Sequence, residues 1–95
     1  MNDKDLKLVV KLFGQVQGVG MRLAVFKLAQ SYQLTGWVEN QADQGVLILT
    51  QGPEAKLKAF LAEIKSGDNL PGEITKVESE SGEIEQAFKQ FKIKR

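Results

Sequence analysis

Gly14-Gln15-Val16-Gln17-Gly18-Val19-Gly20-Met21-Arg22 joins two stretches of different hydrophobic period. Before it, Leu6, Leu8, Val10 and Leu12 alternate with Lys7, Val9, Lys11 and Phe13. Period two predicts a strand with one well-buried face. After it, Met21, Val25, Leu28, Ala29 and Tyr32 recur every three or four residues. That spacing lines one side of a helix. The chain therefore passes from strand to helix through a glycine-rich loop.

Working outward, Gln33 to Val38 predicts a second strand, entered through Leu34 and the Gly36-Trp37 pair. Gln41 to Gly45 is polar and reads as a hairpin loop. Val46 to Thr50 predicts a third strand. Gly52-Pro53 opens a second helix, with proline tolerated in its first turn. Leu57, Phe60, Leu61 and Ile64 form its apolar stripe, and Ser66-Gly67 stops it. Asp68 to Gly72 reads as a loop, and Glu73 to Ser79 as a weaker strand with Ile74 or Val77 inward. Ser79 to Gln86 is acidic and reads as exposed. Ala87 to Arg95 predicts a last short strand holding Phe88, Phe91 and Ile93. Two helices set among antiparallel strands bury both stripes only by covering one sheet face. The expected class is α+β: a ferredoxin-like sandwich with a βαββαβ core, a short C-terminal strand and an antiparallel sheet. Residues 1–95 are expected to form one domain, without repeats, linkers or low-complexity tracts.

Composition excludes several chemistries. The chain has no cysteine and no histidine, so thiolate and imidazole cannot act as nucleophile, base or metal ligand. Lys and Arg total 13 against 12 Asp and Glu, a net charge of +1. Near-neutrality gives no reason to expect nucleic acid or an anionic membrane as partner. No apolar run approaches the length of a membrane span. The polar start Met1-Asn2-Asp3-Lys4-Asp5 leads us to expect a cytoplasmic protein.

The glycine loop suits a small anion. Glycines let successive backbone N–H groups point into one concavity. The helix start adds unpaired N–H groups and a partial positive charge. Arg22 supplies a planar fork for two phosphate oxygens. A cation in a first helical turn opposes the helix dipole, and a bound anion removes the conflict. The plainer alternative is a tight connection with a surface arginine. The loop fits neither common nucleotide signature: Gly20 is followed by Met21-Arg22 rather than Lys-Ser/Thr, and Leu23 stands where a dinucleotide glycine would fall.

Gly14-x-Val16-Gln17-Gly18-Val19-Gly20-x-Arg22, then Gly36-Trp37-Val38-x-Asn40 and Gly45-Val46, resembles the acylphosphatase family. The resemblance spans nearly the whole chain. It implies hydrolysis of the carboxyl–phosphate anhydride of small acyl phosphates, releasing inorganic phosphate. It also implies that Arg22 binds the phosphate, that Asn40 positions the attacking water, and that the backbone of Gln15, Val16, Gln17, Gly18, Val19 and Gly20 wraps the phosphate oxygens. Four positions depart from the usual pattern. Met21 replaces an aromatic residue and fills similar space. Gln15 replaces a residue that is often basic. Glu39 stands where relatives often carry a basic or neutral residue, and strand alternation aims it away from Asn40. Asp43-Gln44-Gly45 spreads an Asp-Gly turn by one residue.

The residue inventory suits that reaction. A carboxylate leaving group is stable without a proton, so no general acid is required. Phosphoryl transfer through a loose transition state needs mainly positioning and charge stabilisation. A neutral asparagine can accept a hydrogen bond from water while donating another. No cofactor and no metal are expected, and phosphate monoesters are expected to be poor substrates. The second reading is a non-catalytic domain that binds phosphorylated ligands through the same cradle. A related domain begins large hydrogenase-maturation proteins, and the absence of sequence after Arg95 weighs against that context. Trp37 is expected to pack rather than to stack on substrate. Phe88 and Phe91 lack the RNA-binding aromatic pattern. Glu78, Glu80, Glu83 and Glu85 match no metal motif, and Asp43 suits a turn. Lys89, Lys92, Lys94 and Arg95 suit a guarded edge strand, and a monomer is expected. No stretch of sequence marks a pocket for the acyl group.

Overall fold

The computed structural model describes residues 4–95; Met1, Asn2 and Asp3 of the polar start lie outside the described residues. The elements run β1 (Asp5–Gln15), α1 (Met21–Ser31), β2 (Thr35–Asn40), β3 (Val46–Pro53), α2 (Glu54–Ser66), β4 (Glu73–Gly82) and β5 (Phe91–Ile93). The sheet order is β4-β1-β3-β2-β5. The fold is the expected α+β ferredoxin-like sandwich.

Alternation in β1 behaves as read. Leu8, Val10 and Leu12 are buried, and they share one hydrophobic cluster with Met21, Val25 and Ala29 of α1 and Leu57, Phe60 and Ile64 of α2. Both helices thus cover the same sheet face. Each large core side chain contributes roughly 1.5–3 kcal/mol by leaving water. The α1 helix packs over β2 and β5, and α2 over β3 and β1. Phe26 of α1 meets Phe91 of β5 with ring centroids 6.2 Å apart. Tyr32 meets Phe60 edge-on at 6.4 Å, joining the end of α1 to α2.

Several boundaries differ from the sequence reading, each for a local reason. The second strand starts at Thr35, because the end of α1 uses the preceding residues: Gln33 has φ 60° and the Leu34 N–H donates to the Ala29 carbonyl. The third strand runs on to Pro53, so that proline caps α2 from outside. Gly67 ends α2 with φ 68°, as expected of a left-handed stop. The fourth strand extends to Gly82, paired along β1. The last strand shrinks to Phe91–Ile93 because residues before it bond to a side chain instead. Buried Gln51 donates to the Gln86 carbonyl and accepts from the Phe88 N–H at 2.9 Å.

The sheet is also mixed rather than wholly antiparallel. Antiparallel pairing joins β1 to β3, β1 to β4 and β2 to β3, but β5 lies parallel to β2, with Val38 opposite Ile93. The segment after β4 crosses to the far edge before β5 starts, and that path sets its direction. The edge position brings the chain near Arg95 beside the first turn of α1.

Candidate active site

The loop leaves β1 past a bulge at Phe13/Gly14 and is anchored by Val16, 1% exposed. Gln15 lies inside β1, in register with Glu73, so the irregular loop proper is residues 16–20. Gly18 and Gly20 have φ 74° and 85°, a region that penalises side chains. A Cβ at either would meet nothing within 4 Å, so open space stands over both. Gly20 caps α1, with no side chain bonded to the cap and no acidic residue in the first turn. The helix start therefore presents its N–H groups without a competing carboxylate.

Arg22 follows in that first turn. Its guanidinium donates to the Lys94 carbonyl at 3.1 Å. The Lys94 N–H in turn donates to the Val38 carbonyl at 2.8 Å. Arg22 is therefore held through β5 to β2, and most of its five N–H donors remain for a ligand. A recess of about 260 Å³ opens beside it, lined by Gly18, Gly20, Met21, Arg22, Ile93 and Arg95. Arg95 is a second cation at this recess that sequence reading missed. Only the parallel placement of β5 brings it there.

Asn40 ends β2 opposite Val46. It shares strand parity with buried Val38, which puts it on the helix-covered face. Its carboxamide makes no hydrogen bond to another described residue. Glu39 pairs with Leu47 and has the opposite parity, as expected. The Gln17 side chain ties the two halves of the site together. Its Nε2 donates to the carbonyls of Gln41 at 2.7 Å and Gly45 at 2.9 Å. Loop and hairpin are thus fixed to each other beside Asn40. The sequence points only to a backbone role for Gln17, and nothing local to it marks a bridge to a turn 24 residues on.

The hairpin tip is braced separately. Asp43 accepts from Lys11 Nζ and from the Gly45 N–H at 3.0 Å. The Lys11 hydrogen bond, followed by the Gly45 N–H, holds the Asp43 carboxyl below its ordinary value. The spread turn is therefore stabilised, with Gln44 accepting φ 76°. Trp37 stands on the other sheet face under the Lys94 ammonium, 4.2 Å from the ring centroid, and takes no part in the recess. Among the described residues no group of three or more His, Cys, Asp or Glu is placed to hold a metal.

The acylphosphatase family profile matches residues 8–93. The chain belongs to the acylphosphatase family. The Syntrophotalea carbinolica acylphosphatase is 33% identical over 91 residues, covering 96% of this chain and 98% of its own. The Clostridium acetobutylicum acylphosphatase is 44% identical over 64 residues, 67% of this chain and 70% of its own. The crystal structure of the Bacillus subtilis acylphosphatase superposes with a TM-score of 0.85 at 30% identity, covering 95% of this chain and 99% of that one. Full-length HypF in its phosphate- and nucleotide-bound form matches 97% of this chain with 12% of its own, at 36% identity and a TM-score of 0.86. As an acylphosphatase, the chain cleaves the carboxyl–phosphate bond of acyl phosphates to a carboxylate and inorganic phosphate. The relatives favour the enzyme over a non-catalytic binding domain.

Proposed function

We propose that hydrolysis runs through Arg22 and Asn40 on a backbone cradle formed by Gln15 to Gly20, with no metal. The carrying observation is the open space over Gly18 and Gly20 beside the anchored Arg22 guanidinium. The phosphate oxygens lie against the loop N–H groups, the start of α1 and the arginine fork. Asn40 accepts a hydrogen bond from the attacking water and sets its line of approach. Water adds to phosphorus as the phosphorus–oxygen bond to the acyl group breaks. The carboxylate leaves with the bonding pair, and a phosphate oxygen takes the water's proton. Fixed donors stabilise the charge on the phosphoryl oxygens without reorganising. Alkyl phosphates have an alkoxide leaving group that needs a proton, and no histidine or cysteine is available to help. They are turned over poorly.

We further read the enzyme as a cytoplasmic, single-domain monomer. In support, no helix among the described residues is long and apolar enough to cross a membrane. Lys89, Lys92 and Lys94 also guard the β5 edge against strand addition. The deciding experiment is benzoyl phosphate hydrolysis in the presence of a chelator, wild type against Asn40→Ala. Turnover by wild type and its loss in the variant are expected. Full turnover by Asn40→Ala would remove Asn40 from the mechanism, and chelator-sensitive turnover would refute the metal-free reading.

A further inference from the structure

A groove of about 440 Å³ runs beside the cradle between α1, the end of α2 and the 67–72 loop; Leu23, Leu28 and Leu70 give it apolar wall, and Lys27, Glu63 and Asn69 its polar groups. Gly20 and Leu23 line both this groove and the recess at Arg22. The two spaces are therefore neighbours across one turn of backbone. Among the described residues, the large hydrophobic side chains left exposed are Val19, 39%, and Leu23, 50%. They flank Gly20 on either side. The 67–72 loop is itself built against the cradle: a Cβ on Gly72 would lie 2.3 Å from the Gln15 carbonyl oxygen and 2.9 Å from Val19 Cγ2. Apolar walls with a few polar groups, next to a charged anchor, are the usual make-up of a small-ligand site.

We infer that this groove takes the acyl body of the substrate, with Leu23 as a specificity residue favouring acyl phosphates whose acyl group is apolar and larger than a methyl. The inference rests on the proposed seating of the phosphate at Arg22. In-line displacement puts water and leaving group on opposite sides of phosphorus. Asn40 ends β2, on which α1 packs, whereas Leu23 lies on α1 and Leu70 on the loop that shares the groove with it. A water held by Asn40 thus directs the departing carboxylate toward the groove. The apolar acyl body covers Leu23 there, while an acetyl group is too short to do so.

The test compares kcat/KM for benzoyl phosphate and acetyl phosphate. Leu23→Ser is expected to lower the benzoyl-to-acetyl ratio about five-fold, the scale of one or two methylene groups returned to water. Acetyl phosphate turnover is expected to fall less than benzoyl phosphate turnover, because the acetyl group leaves the groove side of Leu23 uncovered. Leu23→Met should keep the wild-type ratio, and Leu23→Ala serves if the serine variant fails to fold. An unchanged ratio, or an equal loss on both substrates, overturns the groove. Failure of the cradle reading looks different: Arg22→Ala and Asn40→Ala would then keep turnover of both substrates, whatever Leu23 does.

Discussion

Gln17 donates a 2.7 Å hydrogen bond to the main-chain carbonyl of Gln41, one residue beyond Asn40. The side chain reaches out of the loop proposed to hold phosphate and grips the turn that follows the proposed water-orienting residue. Gln17→Glu replaces the donor with a carboxylate facing two carbonyls. It should destabilise the protein by about 1–3 kcal/mol and lower kcat more than it raises KM. Urea unfolding and steady-state kinetics check both.

Asn40→Ala should separate binding from turnover. Removing one well-placed transition-state partner costs about 100–1,000-fold in kcat. Inhibition by inorganic phosphate should stay close to wild type, since the cradle and Arg22 are intact. A parallel loss of phosphate binding would instead make Asn40 part of the cradle.

Arg22→Ala should abolish phosphate inhibition and turnover together. Arg22→Lys keeps the charge but loses the planar fork and its bond to the Lys94 carbonyl. We expect kcat/KM to fall about 100-fold even in the lysine variant. Near-normal activity there would mean that charge alone suffices.

The chain has no histidine and no cysteine, the side chains whose ordinary values lie nearest neutrality, so kcat should be flat between about pH 6 and 8. Stability should bend at lower pH. Asp43 is held below its ordinary value by Lys11, and Glu85 is held below its own by Lys7. A depressed carboxyl adds stability that is complete above its unfolded-state value and is lost as pH falls through the folded one. The loss should therefore start near pH 4 and continue below it. Asp43→Asn should flatten part of this acid limb in thermal melts.

Gly36→Ala and Gly20→Ala should fail differently. At Gly36 a Cβ would lie 1.8 Å from the Leu49 carbonyl oxygen, so β2 cannot stay paired with β3. We expect a largely unfolded protein by circular dichroism. At Gly20 there is space but φ is 85°. A left-handed alanine costs about 1–2 kcal/mol, so that variant should fold and lose activity through a reshaped cradle.

Periodicity carried the fold because it records burial. Leu8, Val10 and Leu12 alternate where a strand meets the helices, and Met21, Val25 and Ala29 follow a helical spacing above them. The β5 segment was less legible. Its direction depends on where the chain crosses, and its upstream residues answer to Gln51, which lies on another strand. The left-handed glycines and the arginine in the first turn of α1 could be placed from sequence because that geometry is local. The Gln17 bridge, the arrival of Arg95 and the groove at Leu23 and Leu70 could not, since each joins residues distant in sequence and distinguished by nothing locally.

The carbonyl that steadies Arg22 belongs to a residue 72 positions later. At ordinary rates of synthesis, roughly 5–20 residues per second, that interval lasts about 4–14 seconds. A growing chain can form its loop and first helix early, yet its arginine has nothing to lean on until residue 94 has been made and β5 has docked. Nascent chains are therefore expected to be poor catalysts however well their first half has folded, and activity should arrive with the sheet's far edge rather than build up along the way.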